Sequence, residues 1–177
     1  MFVQRVSETQ FLTAVGPQIK VWESKDGRWH LVAQDLRFQG LNVLQVVPLV
    51  KLRYGVKAKC FLVLYENGNL CFWNSSSLMC QHSLKLPQET EKVVVDKSSR
   101  FFAGLDKSAG QVRVYSVKSG EEIWALNFAS VSNIEADSEC ENQFVIAINS
   151  LDDPSKEADS LLLFQFSQKS MVKYWKT

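Results

Sequence analysis

Few groups in this chain could do chemistry, and they fall into small, separate sets. Four cations lie within nine residues, at Lys51, Arg53, Lys57 and Lys59, with Tyr54 and Gly55 between them. Lys and Arg at that density can meet the phosphates of nucleic acid or of a lipid surface. They can equally be the solvated charges of an inter-strand loop. No second basic cluster extends the footprint, and a net charge of +1 supplies no global field to draw in a polyanion. Carboxylates occur in pairs at Asp152-Asp153 and Glu121-Glu122, both in turn-like surroundings where solvation accounts for them, and in a run at Glu135, Asp137, Glu139 and Glu141.

The sequence supplies no nucleophile with its base and no metal set. The cysteines, Cys60, Cys71, Cys80 and Cys140, show no C-x-x-C spacing, and neither His30 nor His82 neighbours a cysteine pair. Cysteines set mostly within apolar stretches read as small hydrophobes in a reducing compartment. Gly-x-Ser-x-Gly, Gly-rich phosphate loops and paired histidines on a helix face do not occur. We therefore expect no catalytic residue, cofactor or metal. Partner contacts are expected instead at the Lys51, Arg53, Lys57, Lys59 cluster and at Asp152 and Asp153, which sit in a long polar excursion from Asn149 to Asp159. Trp29, Trp124 and Trp175 are candidate aromatic anchors, with packing in the core as the alternative.

The elements that must carry these residues are short strands. Apolar runs of five to seven residues, rich in β-branched and aromatic types, alternate with Gly, Asn, Asp and Ser punctuation. Runs such as Phe61-Leu62-Val63-Leu64-Tyr65 and Phe144-Val145-Ile146-Ala147-Ile148 are continuously apolar, which implies strands covered on both faces. Asn67-Gly68 predicts a hairpin of type I′ with positive φ at both residues, and Asp26-Gly27 and Ser119-Gly120 predict related turns. No stretch shows a helical period. The apolar runs are too short for a membrane-spanning helix, and Met1-Phe2-Val3-Gln4-Arg5 lacks the build of a signal peptide. The expected location is intracellular, cytoplasmic or nuclear.

One pattern recurs four times: Ile19-Lys20-Val21-Trp22, Leu70-Cys71-Phe72-Trp73, Val112-Arg113-Val114-Tyr115 and, more weakly, Leu162-Leu163-Phe164-Gln165. With Trp22, Trp73, Tyr115 and Gln165 as repeat anchors, the spacings are 51, 42 and 50 residues. A period of about 40–50 residues carrying four short strands is that of a β-propeller blade. The units resemble degenerate WD repeats, whose blades close their third strand with Trp-Asp. Val21-Trp22-Glu23 keeps the Trp and an acid, Phe72-Trp73-Asn74 keeps the Trp with an amide, and Val114-Tyr115-Ser116 replaces both. The Gly-His pair of that family is missing, so the resemblance implies blades held by apolar packing without the family's His-Asp-Ser-Trp network.

The expected fold is therefore all-β: a WD-repeat-like β-propeller, a partial ring of about four four-stranded blades, in a single domain 1–177 with blades near 1–38, 39–87, 88–129 and 130–177. A β-sandwich is the alternative. The first unit, opening at Thr9, reads as one strand short. Function is expected to be a non-catalytic protein–protein interaction scaffold in an intracellular multi-protein complex, with the remaining blades supplied by a longer chain or a partner chain. The alternatives are a nucleic-acid-associated subunit, of a ribonucleoprotein or DNA-repair complex, using the basic loop, and an accessory subunit of an enzyme. In an open arc the end faces are expected to expose Phe11, Val15 and Val21 at one end, and Phe144, Ile146, Leu162 and Phe164 at the other.

Overall fold

The computed structural model describes residues 1–5, 8–35, 40–53, 56–74, 79–149, 160–165 and 170–176, with backbone alone at 35, 50–53, 56–59 and 170–176. Sixteen strands and no helix are found among them. They form four antiparallel meanders, each built from four consecutive strands. The first sheet is β1 (Phe2–Arg5), β2 (Gln10–Val15), β3 (Gln18–Lys25) and β4 (Arg28–Asp35); the second is β5 (Val43–Arg53), β6 (Val56–Tyr65), β7 (Asn69–Asn74) and β8 (Met79–Lys85). The third is β9 (Lys92–Val95), β10 (Phe101–Asp106), β11 (Gln111–Ser116) and β12 (Glu122–Asn127); the fourth is β13 (Val131–Ala136), β14 (Gln143–Ile148), β15 (Ser160–Gln165) and β16 (Ser170–Lys176).

The first sheet is not one strand short. β1 pairs antiparallel with β2, from Phe2 opposite Ala14 to Arg5 opposite Phe11. Four residues are too few to display a period, so this edge strand leaves little mark on the sequence.

Local turn chemistry sets the hairpins. Asp26 and Gly27, at φ 52° and 71°, join the paired residues Lys25 and Arg28. That is a two-residue loop with both centres left-handed, the geometry of a type I′ turn. The hairpin at Asn67-Gly68 differs from expectation: Gly68 is left-handed at φ 80° and Asn67 is not. The Tyr65 carbonyl accepts the Gly68 N–H at 2.9 Å, and Asn67 Oδ1 accepts the Asn69 N–H at 3.0 Å. The loop is thus three residues long, a turn closed by a left-handed glycine, and the Asn side chain caps it instead of occupying the left-handed region.

The chain divides into two compact units, Met1–Gln88 and Glu89–Thr177. In the first unit, Leu12, Ala14, Ile19 and Val21 of the first sheet share one core with Val46, Phe61, Val63, Tyr65, Cys71 and Trp73 of the second. In the second unit, Ala103, Leu105, Val112 and Val114 of the third sheet share a core with Ile134, Phe144, Ile146, Leu162 and Phe164 of the fourth.

Packing is not the only link between the third and fourth sheets. Asp96, 2% exposed, accepts the backbone N–H groups of Arg100 (2.9 Å) and Phe101 (2.7 Å) on one oxygen. Its other oxygen accepts those of Ser98 (3.0 Å) and Asn142 (3.2 Å), together with the Ser98 hydroxyl. Arg100 donates to Asn142 Oδ1 at 3.1 Å, and Lys92 bridges to Asn133 and Glu135. Cohesion in this unit is therefore not purely apolar, contrary to what the missing repeat network implied. A buried carboxylate loses its hydration, and here five donors replace it.

Candidate interaction surface

The register of the strands defines a repeat more regular than the sequence alone suggested. Phe11 stands opposite Trp22, Phe61 opposite Trp73, Phe102 opposite Tyr115 and Phe144 opposite Phe164. In every sheet a β-bulge between third and fourth strands lies immediately before the third-strand member of that pair, at Val21/Trp22, Phe72/Trp73, Val114/Tyr115 and Leu163/Phe164. The fourth anchor is thus Phe164, not Gln165, which stands opposite Gln143. The error is one of parity: an apolar run shows no alternation, and a shift of one residue moves a side chain to the other face.

The second-strand member is a phenylalanine in all four sheets, at spacings of 50, 41 and 42 residues. These four phenylalanines were not recognised as a repeat from the sequence. Anchoring the repeat on the second strand instead of the third would have found them. Three of the pairs stack, with ring centroids 6.2, 5.7 and 4.9 Å apart and interplanar angles of 17°, 14° and 12°. Offset stacking of this kind adds about 0.5–1.5 kcal/mol to what burial alone gives.

Cross-strand partners share a face, so each sheet has an aromatic face carrying this pair and a reverse face carrying the alternate residues. Within the first unit the aromatic face of the second sheet meets the reverse face of the first; within the second unit the fourth sheet meets the third in the same way. The aromatic pairs of the second, third and fourth sheets are buried, at 6% exposure or less. The first sheet breaks the rule. Phe11 and Trp22 are only partly covered, and around them Val3, Val15, Trp29 and Leu31 are 61, 55, 51 and 46% exposed.

The arrangement of this open face is specific. Trp29 packs edge-on against Phe11 at 4.6 Å, and Trp22 Nε1–H donates to Thr13 Oγ1 at 2.9 Å. The indole proton is thereby satisfied inside the sheet, leaving the ring faces for an apolar contact. Contiguous apolar surface of this sort is a hallmark of an interaction site.

The reverse faces show the complementary pattern. Leu12, Ala14, Ile19 and Val21, then Leu62, Leu64, Leu70 and Phe72, then Ala103, Leu105, Val112 and Val114 are all buried. In the fourth sheet the matching residues are Val145, Ala147 and Leu163, all partly exposed, and Leu161, 37% exposed. The open end faces are only in part those expected: Phe11 and Val15 do lie on one, but Val21, Phe144, Ile146, Leu162 and Phe164 are buried, because each lies on the inward parity of its sheet.

The other sequence candidates are dispersed. Lys51 and Arg53 on β5 stand opposite Ala58 and Val56, whereas Lys57 and Lys59 on β6 stand opposite Leu52 and Val50. The two pairs hold register positions of opposite parity; their side chains lie outside the described residues. Asp152 and Asp153 lie outside them altogether, as does the side chain of Trp175. Trp124 is half-buried, tilted over Phe164 at 5.9 Å, and belongs to the packing of the second unit. The acidic run is partly neutralised, Glu135 by Lys92 and Glu141 by Arg100 at 3.6 Å. Glu122 pairs with Arg113 at 2.8 Å, a hydrogen bond that raises the Arg113 pKa. Burial pushes the neighbouring Tyr115 hydroxyl up to about 12, with the Glu122 charge adding to it.

Among the described residues no group of three or more His, Cys, Asp or Glu could hold a metal ion, and no helix is long and apolar enough to cross a membrane. No family model matches the chain, and no curated protein matches it.

Proposed function

We propose that the chain is a WD-repeat-like β-propeller segment acting as a non-catalytic scaffold for protein–protein contacts in an intracellular complex. The open aromatic face of the first sheet is its principal contact surface. One observation carries the reading: a packing unit recurs in four sheets, three of its aromatic pairs are closed, and the fourth, at Phe11 and Trp22, is left open beside Trp29. Trp and Phe in a partly preformed apolar patch are the residue types that dominate protein interfaces. The buried acids also fit a structural part. Asp96 serves turn amides and the Ser98 hydroxyl, and Asp106 accepts the Ser108 hydroxyl and the Ala109 amide at 2.7 and 2.9 Å. The register parity that separates Lys51 and Arg53 from Lys57 and Lys59 gives no support to a single basic footprint.

The propeller part of the proposal is tested by a protease site placed between Gln88 and Glu89. Blades packed in series hold the cleaved halves together on gel filtration; halves that separate and stay folded refute it. The scaffold part is tested by a polyanion column and by catalogues of co-purifying proteins. Charge reversal at Lys51, Arg53, Lys57 and Lys59 should leave the bound proteins unchanged, whereas W29E/L31K should remove a defined subset. The opposite pattern refutes the assignment of the surface.

A further inference from the structure

The two packed sheet pairs say what an aromatic face of this protein accepts. In the first unit, Phe61, Val63, Cys71 and Trp73 sit on the small aliphatic surface made by Leu12, Ala14, Ile19 and Val21. In the second, Phe144, Ile146, Leu162 and Phe164 sit on Ala103, Leu105, Val112 and Val114. Both junctions join the same two surfaces in the same sense: aromatic face onto reverse face, at equivalent register positions.

Each chain retains one unfilled member of each kind. The aromatic face left open is that of the first sheet, with Phe11, Trp22, Trp29 and Leu31. The reverse face left open is that of the fourth sheet, where Val145 stands opposite Leu163 and Ala147 opposite Leu161. These four are Val, Leu, Ala and Leu at the positions where the filled surfaces carry Leu, Val, Ala and Ile, or Ala, Val, Leu and Val. In size and apolarity the unfilled surface matches the two that already receive aromatic pairs.

We infer that the open aromatic face of the first sheet docks on the open reverse face of the fourth sheet of a second copy of this chain. The inference rests on the scaffold reading and names one partner for its surface. The contact is heterologous, since two different patches meet, so each junction leaves one further face of each kind available. Such contacts close into a ring when the rotation permits and extend when it does not. Lys20, opposite Thr13 on the docking face, does not argue against burial there. The matching position of the third sheet is Arg113, which is half-buried and held by Gln111 and Glu122.

The test uses the full chain and two face variants. W29E/L31K alters the first-sheet face and L161K the fourth-sheet face; all three residues are more than a third exposed, so each variant should keep the wild-type circular dichroism and a cooperative melt. L161N serves as the milder substitute if L161K melts early. In sedimentation velocity between about 1 and 100 μM, the wild type should associate with rising concentration, and each variant alone should lose at least tenfold in association constant. Mixing the two variants is the decisive step. The intact first-sheet face of L161K meets the intact fourth-sheet face of W29E/L31K, so the mixture should give a 1:1 heterodimer that goes no further.

Three results would overturn the inference: a wild type that stays monomeric across the range, association that survives both variants, or a mixture without heterodimer. Loss of association in W29E/L31K but not in L161K would mean a symmetric contact of two first-sheet faces, and also overturns it. A monomeric chain whose halves stay together after cleavage between Gln88 and Glu89 refutes self-docking alone. Halves that separate refute the propeller reading beneath it.

Discussion

Replacing Gly68 by Ala tests the hairpin geometry against an internal control. Gly68 has φ 80°, and a Cβ built on it would lie 2.6 Å from the Leu86 carbonyl oxygen and 2.7 Å from that of Pro87. Gly27 has φ 71° but nothing within 4 Å of its Cβ position. Both substitutions incur the left-handed penalty of an L-residue, about 1–2 kcal/mol. Only Gly68→Ala must also displace backbone. The chain that has to move is held by the Leu86 N–H donating to the Gly68 carbonyl at 2.9 Å, and loosening that bond costs about 1 kcal/mol more. Gly68→Ala should therefore destabilise by about 2–3 kcal/mol and Gly27→Ala by about 1–2 kcal/mol, about 1 kcal/mol less. For a chain of this size that corresponds to falls in Tm of about 4–12 °C and 2–8 °C. Urea denaturation followed by tryptophan fluorescence, at constant m-value, measures both. If the two variants agree within about 0.5 kcal/mol, the close approach of Leu86 and Pro87 is wrong, because the left-handed term common to both would then explain everything.

Three further outcomes are expected. Phe164→Ala should cost about 3–5 kcal/mol while Gln165→Ala stays under about 1 kcal/mol, measured by the same denaturation; the reverse order would restore Gln165 as the repeat anchor. Asp96→Ala should cost about 3 kcal/mol or more, since it strands five donors around a buried site, and thermal melts that show less than 1 kcal/mol would remove Asp96 as the tie between the third and fourth sheets. Tyr115, raised to about 12 by burial, should contribute a tyrosine titration above the ordinary range in ultraviolet difference spectra that is lost in Tyr115→Phe, and stability should fall as pH rises above 10. The sign follows because the unfolded chain releases that proton at lower pH than the folded one; a Tyr115→Phe variant with an unchanged alkaline limb would refute it.

The sequence made the type of the elements, and all of them but β1, readable because strand residues, turn residues and spacing agree. Asp26-Gly27 is a sufficient instruction for its hairpin, and the continuous run from Phe61 to Tyr65 is a strand covered on both sides, whereas the equally continuous run from Phe144 to Ile148 leaves Val145 and Ala147 partly exposed, against expectation. The same continuity conceals the register. In the fourth sheet, Leu161, Leu162, Leu163 and Phe164 are all apolar, so nothing in their order says that Leu162 and Phe164 point into the core while Leu161 and Leu163 do not. Parity had to come from the pairing with Phe144 and from the bulge after Leu163. The basic cluster is hidden in the same way: its order in the sequence does not show that Lys51 and Lys57 take register positions of opposite parity.

The first sheet is the informative exception. Along β2 and β3, Thr13, Gln18 and Lys20 interrupt the apolar residues on the side of Phe11 and Trp22, while Leu12, Ala14, Ile19 and Val21 hold the other side, with the polar pair Gln10 and Glu23 at its end. Alternation of that kind belongs to a sheet with one covered and one wetter face. In the second sheet, which is covered on both, the corresponding positions are filled by Val63, Tyr65, Asn69 and Cys71, with only Asn69 polar. The mixed character of the first sheet's aromatic face is what a surface needs if it is to spend part of its life in water and part against a partner. Polar residues there do not exclude burial, since Arg113 and Gln111 hold the positions of Lys20 and Gln18 in the third sheet, but a permanently solvated face has no use for Trp29 and Leu31 beside Phe11 and Trp22.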